Sequence, residues 1–156
     1  MSATLQEKAE QFLTQKHIAV VGVSTTNPNE FTNMIYRKFR DNGFHAYAVN
    51  PKADTVEGEP CYPTVKDVPV QLDGVVIGTT PAVTDQVVRG CLDAGVTRVW
   101  MHKSVTTGSV SPDAVAFCQE NGIMVIDGAC PMMFLEPDIA HKCMKWVLGA
   151  FGKLPE

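Results

Sequence analysis

His17-Ile18-Ala19-Val20-Val21-Gly22-Val23-Ser24-Thr25, then the polar loop Thr26-Asn27-Pro28-Asn29, then Phe31-Thr32-Asn33, is the stretch that decides the fold. The run from Ile18 is apolar or small with β-branched character, as in a strand buried on both faces. It breaks at Gly22 and Ser24, and a helical pattern follows. A strand, a tight small-residue turn and a helix start together make an anion site. Backbone N–H groups at the turn and in the first helical turn lack internal partners, and the helix dipole adds positive potential. Phosphate is the guest such a site favours. The plainer alternative is that Gly22 only lets a strand–helix turn pack closely.

The chain has 156 residues, which suits one domain over 1–156. A chain of this size buries enough surface to need no disulfide or metal staples. Hydrophobic content is 45% and charged content 19%, ordinary for a globular protein. A net charge of -4 argues against nucleic acid or an anionic membrane as partner, though a local basic site remains compatible with it. No apolar run reaches the length of a membrane span, and no signal core opens the chain. The five cysteines lack paired motif spacing, so reduced thiols in the cytoplasm are expected.

A helix is expected from about Thr4 to Gln15, with Leu5, Ala9, Phe12 and Leu13 on one face and Glu7, Lys8 and Glu10 facing away. The helix after the first strand is expected to carry Phe31, Met34, Ile35 and Phe39 inward and to stop at Gly43. Phe44 to Val49 reads as the second strand, closed by Asn50-Pro51-Lys52. Ala53 to Asp73 is the least regular part: Val56 to Pro60 reads as a turn, and Thr64 to Val68 as one short helical turn. Gly74 to Ile77 is the third strand. The helix after it, Ala82 to Ala94, is expected to bury Val83, Val87, Val88, Cys91 and Leu92. Arg98 to Met101 is the fourth strand. Ser111-Pro112-Asp113 is a strong helix start, and that helix is expected to bury Val115, Phe117 and Cys118. Ile123 to Ile126 is the fifth strand. A last helix, about Asp138 to Phe151, lines up Ile139, Cys143, Trp146, Val147 and Ala150.

Short apolar strands alternating with helices predict an α/β fold: a doubly wound, mostly parallel, five-stranded Rossmann-like sheet with helices on both faces. Ligands of such sheets bind outside the carboxyl ends of the strands, at the switch point. The strand ends are Gly22-Val23-Ser24-Thr25, Asn50-Pro51-Lys52, Gly78-Thr79-Thr80-Pro81, Met101-His102-Lys103 and Asp127-Gly128-Ala129-Cys130-Pro131. Their convergence favours a nucleotide. An NAD site usually ends its second strand with an acid, and Asn50 stands there instead. Ser24 also occupies the place of the second glycine of a G-x-G-x-x-G turn. Lys52 beside a ribose suits a ribose that bears a phosphate, and NADP and coenzyme A both offer one. A solvated surface lysine is the plainer alternative.

Several pieces in this order and spacing carry a family resemblance: Val21-Gly22-Val23-Ser24, Thr32, Asn50-Pro51-Lys52, Gly58 with Tyr62 and Val68-Pro69, Asp73 to Ile77 leading to Thr79-Thr80-Pro81, Ala94-Gly95, Val99-Trp100, and Gly122 through Cys130-Pro131. From about Ile18 to Pro137 the sequence resembles the small stand-alone CoA-binding proteins of Rossmann type. These are related to the CoA-binding domain of the succinyl-CoA synthetase α subunit. The resemblance implies that Gly22, Val23, Ser24, Thr25 and Thr32 cradle the CoA pyrophosphate. It implies that Asn50, Pro51 and Lys52 flank the adenosine and its ribose phosphate. It implies that Thr79, Thr80 and Pro81 line the adenine or pantetheine path. Related proteins often have Gln at His102 and Gly at Ser104, and a basic or amide residue at Ala129.

His102 could act as an acid or base, but no Ser or Asp stands at a recognisable catalytic spacing. Cys130 could approach the CoA thiol, and a buried turn residue is the plainer role. Asp127 could be a catalytic carboxylate or a cap of the turn at Gly128. His141 and Cys143 point to different sides of a helix, so no metal site is expected. The expectation is a cytoplasmic protein that binds CoA or an acyl-CoA, is not an enzyme and has no ligase chemistry, with a homodimer as its candidate assembly. An NADP-linked oxidoreductase and a regulatory or interaction module on a nucleotide-binding fold are the rivals.

Overall fold

The computed structural model describes residues 3–103, 108–135, 139–150, 152, 154 and 155, with the side chains of 139–141, 143 and 144 outside the description. The expectations for Ser104, His141, Cys143 and the start of the last helix at Asp138 lie outside the described residues. Helix α1 spans Leu5–Leu13 and leads into strand β1, His17–Val21. Then come α2 (Phe31–Asp41), β2 (His45–Val49), β3 (Thr55–Val56) and β4 (Glu59–Tyr62), with a single 3-10 turn at Val65–Asp67. The second half runs β5 (Gly74–Ile77), α3 (Pro81–Asp93), β6 (Arg98–Met101), α4 (Pro112–Glu120) and β7 (Met124–Asp127). A second 3-10 turn at Pro131–Met133 precedes α5, Ile139–Ala150.

The sheet has seven strands in the order β3-β4-β2-β1-β5-β6-β7. The five predicted strands form its parallel centre, and β4 extends it in parallel beside β2. The expected count of five was too low. The segment predicted as a turn at Val56 to Pro60 is the tip of an antiparallel hairpin, β3 with β4. Strands this short, one of them carrying Pro60, show no apolar alternation, so nothing in their pattern separates them from a loop. β4 lies between β3 and β2, but Pro60 pairs only with Thr55 of the two-residue β3, and pairing with β2 begins at Cys61, so the missing N–H of the proline costs no bond to the parallel sheet.

Side chains alternate across the central strands and define two cores. Ile18, Val20, Val76, Trp100 and Ile126 face α1 and α2. Ala19, Val21, Val75, Ile77 and Val99 face α3 and α4. The helices begin where sequence chemistry places them. Thr4 and Glu7 close a capping box on α1, and the Ser111 hydroxyl accepts from the Ala114 amide at 3.3 Å with Pro112 next in line. Phe12 of α1 meets Trp100 edge-on at 5.4 Å, so the N-terminal helix lies across the sheet.

Four helices, α2 to α5, bury a set of residues that differs at least in part from the one expected. α2 buries Thr32, Asn33, Ile35, Tyr36 and Phe39, while Phe31 and Met34 are exposed. α3 buries Thr84, Val88 and Cys91, while Val83 and Leu92 are exposed. In both, a threonine near the helix start takes an inward position because its hydroxyl has a backbone partner, and the apolar residue before it turns outward. α4 buries Ala114 and Cys118 fully, and Val115 and Phe117 only in part. α5 presents Leu148 to the core, whereas Trp146 is 74% exposed and Val147 and Ala150 face outward too. Lys145 fixes this orientation, its ammonium 4.0 Å from the centre of the Phe134 ring.

Cys91 and Cys118 lie buried in the α3–α4 core as free thiols. Burial pushes Cys91 up to about 12 and Cys118 up to about 11 from an ordinary 9.0. Tyr36 and Tyr47 shift the same way, chiefly by burial. Above pH 9 the unfolded chain sheds thiol protons that the folded protein keeps, so stability falls as pH rises through that range. Melting temperature should therefore decline from pH 9 upward, and Cys91→Ala should flatten the decline. An unchanged slope in that variant would show that Cys91 does not contribute.

Candidate functional site

The chain passes from β1 through α2 to β2 on one side of β1, then returns to β5 on the other. The switch point thus lies between the carboxyl ends of β1 and β5, marked by Gly22 and Gly78. Gly22 has φ +96, and a Cβ there would stand 3.0 Å from the Gly78 carbonyl oxygen. Only glycine accepts both the left-handed backbone and the close approach. A Cβ on Gly78 would overlap the methyl group of Thr32. The Thr32 hydroxyl donates to the Gly22 carbonyl at 3.0 Å. Thr32 is thereby buried and serves as a wedge between the two strand ends.

Much of the turn after β1 satisfies itself. The Gly22 amide donates to the Val49 carbonyl. The Ser24 amide donates to Asn33 Oδ1 at 2.8 Å, and Asn33 Nδ2 returns a bond to the Ser24 carbonyl at 3.1 Å. Ser24 Oγ accepts from the Asn27 amide at 2.9 Å and from the Thr26 amide at 3.3 Å. The donors left for an anion include those of the first turn of α2. Its N-cap, Glu30, makes no side-chain cap, and the first intrahelical bond runs from the Met34 amide to the Glu30 carbonyl. The amides of Phe31, Thr32 and Asn33 therefore precede the helical ladder.

Beside the switch point opens a cleft of about 630 Å³. Of the predicted residues, Gly22, Asn50, Pro51, Lys52 and Thr79 line it. Val23 is buried beneath the turn, Ser24 and exposed Thr25 belong to the loop, and Thr80 and Pro81 form the cap and first position of α3. Asn50 braces the site: its Nδ2 donates to the Val23 carbonyl at 2.8 Å and its Oδ1 accepts from the Lys52 amide at 2.9 Å. The structure adds residues that sequence reasoning missed. The 3-10 turn supplies Val65 and Lys66, and α3 supplies Val83, Val87, Arg89 and Asp93. Gly90, unusual inside a helix, was the available signal: a Cβ there would stand 3.4 Å from Val65, where the turn meets α3.

The cleft has apolar walls and a charged rim. Lys52, Lys66 and Arg89 contribute three cations and Asp93 one carboxylate, which lies 3.8 Å from Lys66. Arg89 rests over the Phe117 ring at 4.8 Å. The other candidates are packed into turns. His102 is buried and stacks on Phe31 at 4.3 Å, and Cys130 is buried beside Ala129, whose φ is +63. Thr84 donates to the Ser109 carbonyl at 2.7 Å and receives Thr79 Oγ1 at 3.2 Å, which carries the cleft's hydroxyl edge back to the core. Among the described residues no group of three or more His, Cys, Asp or Glu side chains could hold a metal ion. No described helix is long and apolar enough to cross a membrane.

Seven mixed, mostly parallel strands with helices on both faces and a crevice at the switch point define a Rossmann-like α/β domain. The chain belongs to the CoA binding domain family, whose sequence profile matches residues 16–136. ADP-forming acetate–CoA ligase II of Archaeoglobus fulgidus is 31% identical to it over 83 residues, which are 52% of this chain and 12% of the ligase. ADP-forming acetate–CoA ligase I of the same organism is 32% identical over 82 residues, again 12% of its length. Among solved structures, a hypothetical protein from Pyrococcus horikoshii OT3 superposes with a TM-score of 0.76 at 27% identity, covering 84% of this chain and 89% of that one. The apo form of Ca. Korarchaeum cryptofilum dinucleotide-forming acetyl-coenzyme A synthetase 1 gives 0.60 at 30% identity, covering 71% of this chain and 25% of the synthetase.

Replacing Asn50 tests the brace. Asn50→Ala should lower unfolding free energy by about 1–3 kcal/mol, because it strands a buried carbonyl. Asn50→Asp should cost at least as much at neutral pH, since a carboxylate would face the Val23 carbonyl. Denaturant titration of both variants checks this, and an Asp variant as stable as the unaltered protein would refute it.

Proposed function

We propose that this chain binds coenzyme A or an acyl-CoA at the carboxyl edge of its sheet and carries out no ligase chemistry of its own. The observation that carries the reading is the cleft: apolar walls rimmed by Lys52, Lys66 and Arg89, opening beside the Gly22 turn. Val49, Pro51, Val65 and Val87 suit an adenine ring, and the three cations suit a phosphorylated ribose. The open first turn of α2 suits a pyrophosphate. The family membership favours the same ligand, and the ligase relatives name an activity of much longer proteins.

Calorimetric titration should show CoA binding more tightly than dephospho-CoA by about tenfold, the equivalent of one charge-assisted contact. Lys52→Ala should remove most of that difference and leave melting of the protein alone nearly unchanged, because the lysine is exposed. Equal affinities for the two ligands would take the ribose phosphate out of the reading. Tighter binding of NADPH than of CoA would replace the reading with an oxidoreductase.

A further inference from the structure

Two segments that flank the site meet on one side chain outside it. Arg37, midway along α2, donates from Nη1 to the Pro28 carbonyl at 2.8 Å and to Glu57 Oε1 at 2.7 Å. Pro28 belongs to the loop between the Gly22 turn and α2. Glu57 belongs to the tip of the β3–β4 hairpin, and β4 runs directly into Pro63 and Lys66 of the cleft wall. The Arg37 and Glu57 side chains are only 29% and 22% exposed, so solvent screens their ion pair less than it would a surface pair.

The hairpin tip supplies a second observation. Its two central residues, Glu57 and Gly58, have φ +53 and +80. A two-residue turn with both angles positive favours Asn-Gly or Gly-Gly, and a glutamate in the first position is strained. A residue that fits its backbone poorly and reaches straight to Arg37 is held there by that contact. The other bonds of the loop stay within the β1–α2 unit, as in Ser24 to Asn27, Asn27 to Asn29 and Asn27 to Glu30.

We infer that Arg37 and Glu57 form a latch that holds the anion-binding helix start and the cleft wall after β4 in one fixed relation. Both are positioning residues for a ligand that spans the two parts. The identity of that ligand rests on the CoA reading above. Asn50 and the β2–β4 ladder already join the two parts at the sheet; without the latch, the loop at Pro28 and the hairpin tip at Glu57 would lose their direct tie, and binding would have to order them.

Glu57→Gly separates this role from a merely structural one, because it removes the carboxylate while relieving the backbone. Melting temperature should hold or rise, while CoA affinity falls roughly three- to tenfold. Glu57→Gln keeps an oxygen acceptor for Arg37 and should recover most of the affinity. In the ligand-free protein, hydrogen exchange at the amides of residues 25–27, 29 and 30 should accelerate in Glu57→Gly. In an Arg37→Ala background, Glu57→Gly should add no further loss. Unchanged exchange in that loop, unchanged CoA affinity, or fully additive losses would each overturn the latch. If the unaltered protein fails to bind CoA, the function proposed above falls, and the exchange comparison alone decides whether the latch holds the loop.

Discussion

A single threonine holds the centre of the molecule together. Thr32 stands at the start of α2 with its hydroxyl bonded to the Gly22 carbonyl and its methyl group against Gly78. One side chain thereby fixes the end of β1, the end of β5 and the first turn of a helix. The switch point is a crevice because these three elements are tied together, and it is narrow because Gly22 lets its backbone approach the Gly78 carbonyl while Gly78 leaves room for the Thr32 methyl group. A valine there would keep the packing and lose the donor. A serine would keep the donor and leave a gap at Gly78. The demand for both halves of a threonine is what ties the sequence at this position to the geometry of the site.

Much of the architecture was legible because it follows from period and punctuation. The apolar run before Gly22, the Ser111-Pro112 start and the alternation of short strands with helices each state one local rule, and the rules agree. What was not legible has a common cause. In α2 and α3 the inward face includes Thr32, Asn33 and Thr84, polar residues that a hydrophobic pattern assigns to solvent. Each has a backbone or side-chain partner that only the fold supplies. Counting them as outward rotates each helix by about one residue and places Phe31 and Val83 in the core. Val83 instead lines the cleft, and Phe31 stacks on His102 above the crevice. Two apolar residues that the pattern placed in the core thus lie at or beside the site instead.

The charge pattern follows a similar logic. A chain of net charge -4 gathers Lys52, Lys66 and Arg89 around one opening. They come from three separate elements, so no run of basic residues betrays them in the sequence. Asn50 completes the contrast with dinucleotide sites that carry an acid at the same strand end. Its amide both donates and accepts, and it spends both capacities on the backbone of neighbouring turns. A carboxylate could not do this. The residue that stands in place of that acid is therefore also one that braces the backbone around the cleft.

The two tryptophans stand at opposite extremes of environment. Trp100 is sealed in the sheet, with Phe12 edge-on and its indole N–H bonded to the Gly128 and Ala129 carbonyls at 3.0 and 3.3 Å. Trp146 projects from α5 into solvent. Their emission should divide accordingly, into a blue component shielded from a dissolved quencher and a red component open to it. The protein thus carries two built-in optical reporters: one registers the seam between β6 and β7, the other whatever happens at the far helix, and the two can be followed in the same sample without a dye.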